Sequence, residues 1–152
     1  MAHAMAYSIP SSDLRGPALA TQDLAHSSVL NVATFQGVFY ITTGIWPLVH
    51  MKSFEKVTGP KTDHWLVKTV GLLVAISGLA LLRSGLRAKS TATERPQFSQ
   101  DATLIGIGQA ACLGSVSLYY SAIGRISKVY MLDTLVEYSL VLNWIGAIRA
   151  QR

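Results

Sequence analysis

Trp65–Leu82 reads WLVKTVGLLVAISGLALL, eighteen residues with a single charge, Lys68. A helix needs about 17–25 apolar residues to cross the hydrocarbon core of a bilayer, and this run has that length. In lipid every backbone N–H and C=O must be paired within the segment, so the run is a helix despite its valines and threonine. Three further runs have the same character: Val29–Val49, Thr103–Ile123 and Tyr130–Ile148. Among the four, the only charges are Lys68, Asp133 and Glu137. A soluble bundle would carry a polar face on every helix. The chain is 50% hydrophobic and 14% charged, against about 25% charged in ordinary soluble domains, and its mean hydropathy is +0.35.

These runs predict an all-α fold, a four-helix antiparallel transmembrane bundle running up-down-up-down. Residues 1–28 are polar or small, with Pro10, Gly16 and Pro17, and read as a flexible tail ahead of a membrane domain over 29–149. No early apolar stretch resembles a signal peptide. Gly59-Pro60 breaks the first connection and Arg95-Pro96 the second, while the short third connection, Gly124 to Val129, demands a hairpin. FEKV at Phe54–Val57 and ISKV at Ile126–Val129 occupy matching places, which raises a second possibility: two duplicated helical hairpins.

The net charge of +5 lies beside the apolar runs. Anionic headgroups account for it better than nucleic acid, and no nucleic-acid partner is expected. The termini side carries Arg15, Arg83, Arg87, Lys89, Arg95, Arg149 and Arg152; the other side carries Lys52, Lys56, Lys61, Arg125 and Lys128. Seven bases against five, or six if Lys68 is counted, favour both termini in the cytoplasm of a multi-pass membrane protein. Trp46, Trp65, Tyr119, Tyr120 and Tyr130 fall at the opposite interface and Trp144 marks the termini side. The lone Cys112 excludes an intrachain disulfide and a CxxC redox pair.

Small residues recur at helical spacing: Ala102, Gly106, Ala110 and Gly114; Gly71, Ala75 and Gly78; Ala33, Gly37 and Gly44. Such ridges let helix backbones approach closely. The GxGxxA pattern at Gly106–Ala111 lies inside an apolar span with no βαβ unit, so it is no nucleotide site.

The interior polar residues carry what chemistry there is. Lys68 shares a helical stripe, spaced alternately four and three, with His64, Gly71, Ala75 and Gly78, which turns it towards the bundle; Asp133 and Glu137 are four apart on one face. An unpaired charge at mid-membrane costs at least about 2.5 kcal/mol, so an ion pair from Lys68 to Glu137 or Asp133 is expected. It serves either as a staple between helices or as a proton or substrate site, since a carboxylate removed from water can exchange a proton near neutral pH. Gln36, Gln109 and Asn143 lie at similar depth and are expected to bond one another or to line a ligand site. His50 and His64 flank the first connection at helix ends, where interface histidines are commoner than haem ligands, and no metal or cofactor is expected.

FEKVTGPKTDHWLVKTVG, Phe54–Gly71, is more specific than a spacer requires. It resembles a stretch found in small four-helix membrane proteins of bacteria that have no assigned activity, so the resemblance implies architecture only. Gly59-Pro60 makes a tight turn, Thr62 or Asp63 can cap the following helix, and Trp65 anchors it at headgroup depth. Lys56, Lys61, Asp63, His64 and Trp65 therefore form a candidate surface for a partner or for headgroups. Two functions remain in view. One is a non-enzymatic accessory component, as a homo-oligomer or within a larger membrane complex. The other is a small proton-linked transporter or channel using the Lys68/Glu137 pair.

Overall fold

The computed structural model describes residues 17–90 and 100–149, with side chains over 32–87 and 100–149. It is all-helical over those residues: α1 (Pro17–Val49), α2 (Met51–Thr58), α3 (His64–Ser90), α4 (Gln100–Ala122) and α5 (Tyr130–Arg149). All but α2 contain a stretch long and apolar enough to cross a membrane.

Three of these helices differ from the reading of the apolar runs, α3 by continuing eight residues past Leu82 to Ser90. α1 begins at Pro17, twelve residues before Val29, so residues 17–28 are helical rather than tail. Proline is well placed at a first helical position, where its missing N–H has no partner to lose. Residues 1–16 lie outside the described residues. The first connection also holds α2, a helix too short and too polar to register as an apolar run. The His50 ring caps its start by accepting from Ser53 N–H, and Trp46 Nε1 donates to Ser53 Oγ, tying α2 back to α1. Gly59, at φ 86°, ends it. α4 ends in a Schellman motif: Gly124 takes φ 72°, Arg125 N–H bonds Tyr120 O and Gly124 N–H bonds Ser121 O.

The buried faces are narrow and made of small or polar residues. On α4 the buried series is Ala102, Gly106, Ala110, Gly114, Ser117 and Ser121; on α5 it is Thr134, Glu137, Leu140, Trp144 and Ala147. Large aliphatics such as Leu73, Ile76, Leu79, Leu104 and Leu135 face outward. Lipid is as apolar as leucine, so these side chains gain nothing by being buried, and helix association falls to close packing and hydrogen bonds. α1 packs most closely on α3, and α4 on α5. Gly37 lies against Gly78 and Leu82, and Gly44 against Gly71 and Ala75.

Substitution should reveal how tight the first of these pairs is. A Cβ on Gly37 would stand 2.6 Å from Leu82 N and 2.8 Å from Gly78 O, both backbone atoms that cannot swing aside. Gly37→Leu should therefore cost about 1–3 kcal/mol, as overpacking does. Gly108, where a Cβ meets nothing within 4 Å, should accept alanine within about 0.5 kcal/mol. Reversible unfolding in mixed micelles reads both.

Candidate functional site

The two helix pairs are joined through α1. Gln36 and Tyr40, one turn apart on its buried face, are fully buried and point at the second pair. Gln36 Nε2 donates to Gly106 O on α4 at 2.8 Å, and its Oε1 accepts from Trp144 Nε1 on α5 at 2.7 Å. Tyr40 Oη donates to Glu137 Oε2 on α5 at 2.7 Å. Gly106 leaves room for the indole, since a Cβ there would fall 2.7 Å from the Trp144 ring. Gly114 does the same for Glu137, whose Cβ would stand 3.1 Å away.

Glu137 is 1% exposed, and among the described residues Tyr40 is its only hydrogen-bond partner, so Oε1 receives no bond. One turn earlier, the partly buried Asp133 accepts from Ser117 Oγ at 2.8 Å through Oδ2. Both carboxylates line a cavity of about 390 Å³. Its walls are mostly apolar, with Phe39, Val67, Val74 and Leu113 among them; Tyr40, Thr43 and Ser117 add hydroxyls, and Phe54, Lys61 and Tyr130 come from the cap and the start of α5.

The Lys68 pairing is not formed. Lys68 is exposed on α3, and the ion pair among the described residues joins His64 to Glu55. The buried series on α3 runs through Gly71, Gly78, Leu81 and Gly85, with Val67 and Val74 partly buried. Lys68 stands one residue, about 100°, round the helix from Val67. One turn from the helix start, its long stem can carry the ammonium to the interface. The interior group therefore consists of Asp133, Glu137, Tyr40 and Ser117.

The amide set is likewise not assembled. Only Gln36 is buried; Gln109 is partly buried beside the α4 series, and the exposed Asn143 donates to Ser139 O of its own helix. Each stands one residue round from a buried neighbour, Ala110 and Trp144 respectively. Trp144 is fully buried, with its indole N–H directed at Gln36 inside the bundle.

The first connection is an ordered cap. Glu55 on α2 organises it: Oε1 accepts from Lys61 N–H and from His64 Nε2, each at 2.9 Å. Those bonds, the Lys61 amide first, hold the Glu55 carboxyl below its usual 4.5. Lys61 Nζ donates to Thr58 O and stands 5.1 Å from the centroid of the Tyr130 ring. Partial burial lowers the Lys61 ammonium, against the charge of Glu55. The Asp63 carbonyl accepts from Leu66 and Val67 N–H at the start of α3, while Lys56, Asp63 and Trp65 are exposed.

Tyr40, Ser117 and Glu55 are the functional-site residues that sequence reasoning missed. Tyr40 carried a signal: it lies eleven residues into its run, far from either interface, and one turn after Gln36. A tyrosine at that depth needs a hydrogen-bond partner. No group of three or more metal-ligating side chains occurs among the described residues. No family model, curated protein or solved structure matches the chain.

A double-mutant cycle on Tyr40→Phe and Glu137→Gln should give a coupling of roughly 0.6–1.7 kcal/mol, the range of strong interhelical bonds in membranes. Lys68→Gln, at an exposed site, should stay within about 0.5 kcal/mol of wild type. The cap has its own pH signature. Glu55 is held ionised to below 4.5, so its contribution to cap order is complete above the ordinary carboxylate value and is lost as pH falls through the depressed one. The Lys61 amide NMR shift should follow that titration and become insensitive to it in Glu55→Gln.

Proposed function

We propose that the chain is a multi-pass protein of the bacterial inner membrane whose interior carboxylates form a proton-linked binding site for a small solute. The observation that carries this is the cavity shared by Asp133 and Glu137. Ionisable residues inside a membrane domain are costly and mark pathways and proton relays. Pockets of about 300–1,000 Å³ with apolar walls and a few converging polar groups are where small molecules bind. Glu137 has one oxygen held by Tyr40 and one without a donor among the described residues, so it can keep its place while exchanging a proton or a ligand.

The four long helices are read as an antiparallel bundle. Gly37 faces Gly78 and Gly44 faces Gly71; Gly106 faces Trp144 and Gly114 faces Glu137, so positions rise on one helix as they fall on its neighbour. The excess of basic residues beside the termini supports a cytoplasmic placement of both ends. The duplicated-hairpin origin has in its favour the matching FEKV and ISKV segments and the similar spacing of Gln36 and Gln109 before Lys56 and Lys128, and the kinship with small bacterial four-helix membrane proteins rests on the Phe54–Gly71 motif.

An accessory role within an oligomer or larger complex is the second reading. A lipid-side groove between α1 and α5, lined by Val32, Phe35, Ser139, Asn143 and Gly146, favours it. An exposed amide at membrane depth is better satisfied by another helix than by lipid.

Proteoliposomes with a pH-sensitive dye inside test the first reading against panels of cationic, anionic and neutral small solutes. At least one panel should produce a proton signal that Glu137→Gln abolishes. Silence from every panel, or a folded Glu137→Gln protein that keeps the signal, contradicts it.

A further inference from the structure

We propose that the cavity takes an organic cation with an apolar body, such as a hydrophobic quaternary or tertiary ammonium, entering sideways from the bilayer between α3 and α4. The inference rests on the binding-site reading above and names its ligand class.

The route follows from the packing. α3 and α4 touch only sparsely, unlike the closely packed pairs α1–α3 and α4–α5. The cavity lies at that gap, and Leu66 and Val70 of α3 and Val116 of α4 belong both to its lining and to the exposed surface. The mouth is therefore apolar and faces where lipid tails would lie. A strongly hydrated solute would have to shed its water before reaching it, which favours molecules that already partition into the membrane.

The interior selects the charge. Two carboxylates line the cavity, and on each an oxygen has no hydrogen-bond donor among the described residues: Oε1 of Glu137 and Oδ1 of Asp133. Four aromatic rings, Phe39, Tyr40, Phe54 and Tyr130, share the lining, and ring faces attract ammonium groups. Lys61 already places an ammonium over Tyr130 at the capped end, so this wall accepts that chemistry. Among the described residues Lys61 is the one cation of the lining, and its ammonium is already engaged by Thr58 O and the Tyr130 ring, so the wall carries two carboxylates against a single ammonium. An inorganic cation fits less well, because hard cations require about six oxygen ligands and most of this wall is hydrocarbon.

The test uses the full chain in lipid nanodiscs, with empty nanodiscs subtracted. Benzyltrimethylammonium is compared with neopentylbenzene, which carries carbon in place of nitrogen. Saturable binding of the ammonium should exceed that of the isostere and should weaken at least about tenfold in Asp133→Asn or Glu137→Gln, since removing one partner of a buried charge pair is costly. Val116→Trp leaves both carboxylates intact and should block entry, which keeps the test decisive if a carboxamide variant misfolds. Lys68→Gln should bind as wild type does. Equal binding of the two probes, or ammonium binding indifferent to the carboxamide variants and to Val116→Trp, overturns the inference. Proton release is read in the same samples. Carboxylate-dependent binding without it upholds the ligand class and contradicts the proton-linked reading. A proton signal raised only by anionic or neutral solutes does the reverse.

Discussion

The hydrogen bond from Tyr40 to Glu137 spans 97 residues of sequence and ties one helix pair to the other. Its neighbour one turn away, the Gln36 bridge to Gly106 and Trp144, does the same work. Without these contacts little would specify how α1–α3 sits on α4–α5, because the remaining surfaces are aliphatic and lipid solvates them as well as protein does. The glycines serve that geometry. Gly106 and Gly114 lie where side chains would displace the Trp144 indole and the Glu137 stem. Gly106, Trp144 and Glu137 serve both the close packing within α4–α5 and the polar bonds to α1.

The same arrangement sets where the chemistry falls. Because α1 meets α5 while α3 and α4 barely touch, the space between the pairs stays partly open. Glu137 is held through one oxygen by Tyr40, and Asp133 through one by Ser117, and both carboxylates line the cavity. The cap closes the other end. Glu55 gathers the Lys61 amide and His64, which in turn places the Lys61 ammonium over Tyr130 at the start of α5. The loop motif and the interior carboxylates, far apart in sequence, thus meet at one cavity.

Much of the architecture was legible in the sequence for a simple reason. Only a helix can satisfy its own backbone across a long apolar run, so length and hydropathy were enough to locate four of the five helices. α2 escaped because eight amphipathic residues have no such signature. The small-residue ridges on α4 were readable because four-residue spacing places them on one face and nothing competes for it. Helical phase was harder. Lys68 and Asn143 each miss the buried face by a single residue, and on a helix that is a turn of about 100°. The stripe through His64, Lys68, Gly71, Ala75 and Gly78 meets the buried face at Gly71 and Gly78 but misses it at its start, where Val67 rather than Lys68 turns inward. The acid was placed correctly in the interior, but its partner was sought among charges, when a neutral phenol satisfies it without a second desolvation cost.

The account stands on which group holds Glu137. Solid-state NMR on the protein in lipid bilayers can measure it, with carbon labels on Tyr40 Cζ and Glu137 Cδ and a nitrogen label on Lys68 Nζ. A short Tyr40–Glu137 distance, matching a direct O–H···O bond, together with no detectable Lys68–Glu137 dipolar coupling is the expected result. A short Lys68 Nζ–Glu137 Cδ distance, with Tyr40 remote, would contradict the way the two pairs are joined and the cavity that depends on it.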